Sequence, residues 1–114
     1  MNNLTKDLVA AASVPVVLAV LGRGESYGYD IIRQVKELSG GKLEFSEGTL
    51  YPILRKLEER GLVETEWRKA DNERQRKYYR LKDGGRATLE AERTNWNAIN
   101  QLLQNLWNAN PALT

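Results

Sequence analysis

Ser46-Glu47-Gly48-Thr49-Leu50-Tyr51-Pro52-Ile53-Leu54-Arg55-Lys56-Leu57 reads as a helix with its own cap. Ser46 supplies the side-chain acceptor, and Leu50, Ile53, Leu54 and Leu57 share one face. Gly61 is the expected left-handed stop. Two strand-like segments follow, Leu62 to Lys69 and Gln75 to Leu81, rich in Val, Thr, Trp and Tyr. A charged tip, Ala70-Asp71-Asn72-Glu73-Arg74, separates them. The second strand carries Arg76-Lys77-Tyr78-Tyr79-Arg80-Leu81. A short helix followed at once by a basic hairpin is how a winged helix-turn-helix meets a DNA duplex. The helix enters the major groove and the hairpin lies on the adjacent backbone or minor groove.

Charge is focused where that reading needs it. From Arg68 to Lys82 there are seven basic residues against two acidic ones, a local +5 on a chain whose formal net charge is +2. That leaves −3 for the remainder, so cationic character is a property of one hairpin. Taken alone, the same charges also suit a solvated hairpin edge, where Lys and Arg discourage strand addition.

Within the capped helix, Thr49, Tyr51, Arg55 and Lys56 face away from the apolar stripe. Gly48 lets backbone approach a phosphate, and amides at a helix start suit an anion. Tyr51 can donate its hydroxyl to a phosphate, which fixes register without reading sequence. Packing beneath the hairpin is the other place for it. Arg55 carries the planar fork that bonds guanine O6 and N7 together. On the hairpin, Arg74, Arg76 and Lys77 form the phosphate or minor-groove group, with Arg68 and Lys69 on the partner strand. Strand alternation puts Lys77, Tyr79 and Leu81 on one face and Arg76 with Tyr78 on the other. It sends Tyr79 and Leu81 to the core. Trp67 is left either at the base of the hairpin or at a dimer edge.

Working outward, Leu4 to Leu21 is apolar at helical spacing, ended by Gly22-Arg23-Gly24, with a kink or restart near Ser13 expected from Pro15. Ser26 is placed to cap a second helix, Tyr27 to about Ser39, with Tyr27, Ile31, Ile32, Val35 and Leu38 inward. Lys42 to Phe45 alternates and reads as a small third strand. Asp83 is placed to cap a last helix running to about Asn108, ahead of Pro111. Its stripe of Trp96, Ile99, Leu102, Leu103, Leu106 and Trp107 is more than one small core covers. Two apolar helical faces at the ends of one chain point to a partner surface, most simply a second copy on a two-fold axis. The alternative is that the two stripes cover each other within one subunit.

Bulk composition narrows the function classes. A chain of 114 residues fits one domain with one modest core, and 41% hydrophobic with 28% charged residues suits a folded protein. No apolar run reaches the ~20 residues of a spanning helix, and Met1 to Lys6 lacks the pattern of a secretory signal. No cysteine is present, so a disulfide framework is excluded and the cytoplasm is the expected compartment. Histidine is absent too. The usual neutral-pH acid/base, the commonest metal ligand and the best nucleophile are therefore missing. No metal, cofactor or enzymatic activity is expected.

Four segments together resemble a known family. Tyr27-Gly28-Tyr29-Asp30-Ile31, Gly48-Thr49-Leu50-Tyr51-Pro52-Ile53-Leu54, Leu57-Glu58-Glu59-Arg60-Gly61-Leu62-Val63 and Arg76-Lys77-Tyr78-Tyr79-Arg80-Leu81 are similar, in order and spacing, to the PadR family of bacterial transcriptional regulators. The length resembles the short branch that includes multidrug-sensing repressors. The fold implied is α+β, mostly α: a winged helix-turn-helix with a long C-terminal dimerisation helix. The DNA-binding region with its N-terminal dimerisation helix would occupy 1–82, and the last helix and tail 83–114. The resemblance implies double-stranded DNA and a second copy as partners, with Ser46, Gly48, Thr49, Tyr51, Arg55, Lys56, Arg74, Arg76 and Lys77 on the DNA. It implies a dimer interface of Leu4, Leu8, Val16, Trp96, Ile99, Leu103, Leu106 and Trp107. It also implies a planar aromatic effector among Leu8, Ala12, Pro15, Glu92, Trp96 and Asn100. Arg93 and the polar Glu92 and Asn100 depart from an aromatic cage, and ordinary dimer core is the other reading of Trp96. A winged helix that has lost DNA binding and serves protein interaction is the remaining alternative.

Overall fold

The computed structural model describes residues 3–69, 71–72 and 74–109. Its elements run α1 (Lys6–Gly22), β1 (Ser26–Tyr27), α2 (Gly28–Leu38), α3 (Glu47–Glu59), β2 (Val63–Lys69), β3 (Gln75–Leu81) and α4 (Asp83–Ala109). The strands form one antiparallel sheet in the order β1-β3-β2. Helices α1, α2 and α3 pack against one face of that sheet, and their apolar stripes meet Val63, Tyr79 and Leu81 in a single core. Leu18, Ile31, Leu50, Leu54 and Leu57 are fully buried there.

Local chemistry accounts for the ends of the helices. Thr5 caps α1, its hydroxyl accepting from the Leu8 amide at 3.2 Å. Ser46 caps α3 by accepting from the Thr49 amide at 3.2 Å. Gly61, at φ 73°, makes the left-handed turn into β2. Helix α1 runs without interruption through Pro15. The Ser13 hydroxyl donates to the Val9 carbonyl at 2.6 Å in the turn before it.

Four expectations need correcting. The third strand is Ser26–Tyr27, not Lys42 to Phe45. Leu43 and Phe45 do alternate into the core, but they pair with no strand; β3 has β1 on one side and β2 on the other. Ser26 does not cap α2, because it lies in β1 and its hydroxyl donates to Asp30 Oδ2 at 2.8 Å. Leu38, placed inward by its spacing, is 66% exposed at the end of α2. Asp83 is the first residue of α4 rather than its cap. Ala70, Glu73 and Pro111 lie outside the described residues.

Gly85 sets how α4 leaves the core. A Cβ there would stand 2.1 Å from the Leu62 carbonyl oxygen. No other residue lets the helix start so close to the entry of β2. From that point α4 extends for 27 residues, about 40 Å at 1.5 Å per residue. Its first turns pack on the end of α1, where Leu89 closes over Gly22. Further along, Ile99, Leu102, Leu103, Leu106 and Trp107 are all exposed. The two apolar stripes therefore do not cover each other within one subunit.

Candidate nucleic-acid interface

Between α3 and the β2–β3 hairpin lies an open cleft of about 760 Å³. Five of the nine residues placed on DNA by the sequence line it: Tyr51 and Arg55 from α3, and Arg74, Arg76 and Lys77 from the hairpin. Ser46, Gly48, Thr49 and Lys56 are exposed on α3 outside the cleft. Two of these carry local duties. Ser46 is the cap, and its hydroxyl also donates to Thr49 Oγ1 at 3.1 Å. Gly48 is open, with only Ser46 Oγ within 4 Å of where a Cβ would sit. The backbone there is free to approach an anion.

Tyr51 is 41% exposed, and its ring end rests on α2. A Cβ on Gly28 would fall 2.4 Å from the Tyr51 hydroxyl and 2.7 Å from Cζ. Gly28 thus makes the seat in which Tyr51 lies, its hydroxyl at the start of α2. This residue was quoted in the sequence only as part of a helix opening. Tyr29, Glu47, Glu58 and Trp67 also line the cleft and were not anticipated there. Trp67 in particular lies in β2 opposite Lys77, away from the base of the hairpin, and is 61% exposed in the single chain.

The hairpin's charge is arranged less simply than its sequence suggested. Arg68 is gripped by Glu25, with Nη1 to Oε1 at 2.6 Å and Nη2 to Oε2 at 2.8 Å, and by Glu66 at 3.1 Å. Arg80 bonds Glu64 at 2.7 Å and Glu66 at 3.2 Å, and lies 3.5 Å from Glu25. Hydrogen bonds from Arg68 hold both the Glu25 and Glu66 carboxyls below the usual carboxylate range, and Arg80 adds to this. Two of the seven hairpin cations are therefore neutralised by three carboxylates on the outer face of the sheet. Half of this was readable, since Glu64 stands opposite Arg80 in the register. Glu25 comes from the turn after α1, and no local pattern announced it.

What remains is split between the two faces, with Lys77 on the inner one and Arg76, opposite Arg68 in the register, on the outer one. Arg76 stacks over the Tyr27 ring, its Cζ 4.5 Å from the centroid, and Tyr27 meets Tyr78 edge-to-face at 5.3 Å. Arg74 is exposed beside the tip. Lys77 is partly offset, with Nζ 3.3 Å from Glu58 of α3. Beneath them Tyr79 is buried; burial, then the Glu58 charge, pushes its hydroxyl pKa up. At the head of α2, burial raises Asp30, yet hydrogen bonds from Ser26, Arg33 and Gln34 outweigh it and leave the carboxyl lowered.

A shape built this way, with a polar-faced third helix beside a cationic two-stranded wing, has relatives. Chain residues 17–91 match the family model described as the transcriptional regulator PadR-like family. The chain belongs to the PadR-like family of transcriptional regulators. A PadR-family regulator structure from Eggerthella lenta is 32% identical, with a TM-score of 0.74, covering 91% of this chain and 88% of that one. A transcriptional regulator from Clostridium thermocellum superposes with a TM-score of 0.79 at 22% identity, over 88% of this chain and 97% of that one, which speaks for the fold. The transcriptional regulator YqjI of Escherichia coli is 38% identical over 48 residues, 42% of this chain and 23% of that longer protein. Fold and family together make this PadR-like chain a winged helix-turn-helix with a long C-terminal helix.

A second hollow, about 360 Å³, lies between α1 and α4. Ala12, Pro15, Glu92 and Trp96 line it, together with Val16, Ala19, Leu89 and Arg93. Leu8 and Asn100, grouped with them from the sequence, do not. Trp96 is half-buried, and its indole Nε1 donates to Glu92 Oε2 at 3.1 Å. Of the residues assigned to a dimer interface, Leu4, Leu8, Ile99, Leu103, Leu106 and Trp107 are exposed, while Val16 and Trp96 are half-buried. Among the described residues no cluster of carboxylates has the arrangement of a metal site, and no helix is long and apolar enough to cross a membrane.

Proposed function

We propose that this PadR-like regulator works as a homodimer that represses nearby genes by occupying an inverted-repeat operator. The observation that carries the reading is the cleft lined by Tyr51 and Arg55 of α3 together with Arg74, Arg76 and Lys77 of the wing. Arg55 reads a base edge, worth about 1–3 kcal/mol of discrimination when bidentate. Tyr51, the exposed start of α3, Thr49 and Lys56 hold the backbone, and Arg74, Arg76 and Lys77 bind the adjacent phosphates or minor groove. The exposed stripe of α4, with Leu4, Leu8 and Val16 of α1, is the surface that pairs two copies. A pair of this kind sets its two α3 helices in successive major grooves, roughly 34–36 Å apart. The cytoplasm is where such a protein meets its DNA, and no catalytic step enters the mechanism.

The α1–α4 hollow suits a planar aromatic effector stacked on Trp96. Such a ligand releases DNA only if it binds the free dimer more tightly than the bound one. A titration of planar aromatics followed by tryptophan fluorescence tests this; a signal unchanged across many compounds removes the effector from the account. The neutralised Arg68 and Arg80 favour a second reading, a winged helix that binds protein rather than DNA. The two readings separate in a selection from a random duplex pool. Repression by occupancy predicts recovery of an inverted repeat with half-sites one helical turn apart. Recovery of no common sequence, with no binding even at low salt, supports the alternative.

A further inference from the structure

Trp67 is a large apolar side chain left in water on the hairpin whose sequence carries a local excess of positive charge. It sits in β2 directly opposite Lys77. By alternation it shares the inner face of the sheet with Val63, Tyr79 and Leu81, all of which are buried. Trp67 alone of these lies beyond the edge of the core, 61% exposed. It lines the same cleft as Tyr51, Arg55, Arg74, Arg76 and Lys77. An indole held open to solvent keeps a large apolar area wet, and every other exposed position among the described residues of this hairpin is charged or polar. Exposed aromatics flanked by arginines are characteristic of binding surfaces.

We infer that Trp67 is a DNA contact, its indole packing on the deoxyribose of the strand that runs between α3 and the wing. This rests on the DNA-binding reading above and adds an apolar contact to it. A nucleic-acid backbone alternates anionic phosphate with largely apolar sugar. The cleft offers both kinds of surface, cations from α3 and the wing together with one exposed indole. The indole N–H is a donor only, so it tolerates a phosphate oxygen at its edge. Because the sugar is common to all nucleotides, the contact positions the strand and reads no base.

The test uses full-length protein labelled with 5-fluorotryptophan. The chain has three tryptophans, so three fluorine resonances are expected, and Trp67→Phe identifies the relevant one. Titrant duplexes are one selected from the random pool and one of equal length with scrambled sequence. The Trp67 resonance should move with both. Trp67→Ala should weaken both by about tenfold, the order expected for truncating an aromatic anchor. The dependence of affinity on salt should stay as in the wild type, because no charge is lost. Trp67→Phe, which keeps a ring and strand preference, should retain most of the affinity. Saturable DNA binding with a silent Trp67 resonance, or with unchanged affinity in Trp67→Ala, overturns the inference and leaves the regulator reading standing. A resonance that instead moves with protein concentration in the absence of DNA assigns Trp67 to a protein contact and also overturns it. Wild-type protein that binds neither duplex brings down both readings.

Discussion

Replacing Glu25 by Gln should make the protein bind DNA more tightly and less selectively. Three carboxylates, Glu25, Glu64 and Glu66, hold two guanidiniums, Arg68 and Arg80, in ion pairs on the outer side of the wing. Glu25 supplies the bidentate grip on Arg68, at 2.6 and 2.8 Å. Neutralising it removes the bidentate grip and leaves Arg68 only the 3.1 Å bond to Glu66, so that its guanidinium can reach a phosphate. That is one additional positive charge per subunit and two per dimer. Each neutralised phosphate steepens the dependence of log K on log salt by about 0.9. Two of them add about 1.8, which over a fourfold dilution from ~200 to ~50 mM salt is an extra gain of about tenfold. The assay is fluorescence anisotropy on a scrambled duplex at several salt concentrations, with melting by circular dichroism to establish that the fold is intact. Glu25→Asp keeps the charge and should keep the wild-type slope. A Glu25→Gln slope equal to that of the wild type would refute the idea that these carboxylates set the wing's usable charge.

Other substitutions probe other parts of the account. Gly28→Ala puts a methyl 2.4 Å from the Tyr51 hydroxyl. The exposed ring should swing off α2, leaving thermal stability nearly unchanged while specific DNA affinity falls by about 1.5–3 kcal/mol, as for loss of one hydrogen bond to a charged group. Equal affinity in the two proteins would return Tyr51 to a packing role. Gly85→Ala drives a methyl against the Leu62 carbonyl oxygen, which itself accepts from the Lys82 amide at 3.0 Å. Here there is no flexible neighbour to yield, and a cost of about 1–3 kcal/mol should appear as a lower melting temperature. Leu103→Glu combined with Leu106→Glu places charge on the exposed stripe of α4. Sedimentation should then show a single chain where the wild type shows two, and an unchanged mass would move the dimer surface elsewhere.

The parts of this structure that could be read from the sequence are those governed by neighbours in the chain. Ser46 as a cap, the spacing of Leu50, Leu54 and Leu57, and the alternation that buries Tyr79 and Leu81 are all short-range patterns. The structure reproduces them within a residue or two. Strand β1 could not be read, because two residues carry no period and their pairing with Tyr78 and Tyr79 spans more than fifty positions. The alternating Leu43 and Phe45 drew that assignment, since a buried loop and a buried strand present the same side chains. The site divides in the same way. Tyr51, Arg55, Arg74 and Arg76 were visible as exposed polar groups on recognisable elements. The Gly28 seat, the exposure of Trp67 and the Glu25 grip on Arg68, 43 positions apart, depend on tertiary contact. The sequence therefore overstated the wing's charge, counting cations without their distant partners.

The most direct trial is sedimentation equilibrium of the purified protein with a duplex recovered from the random pool. The account predicts two chains on each duplex, half-sites one helical turn apart, and assembly that weakens steeply as salt is raised. One chain per duplex, or equal assembly on any sequence of the same length, would contradict it.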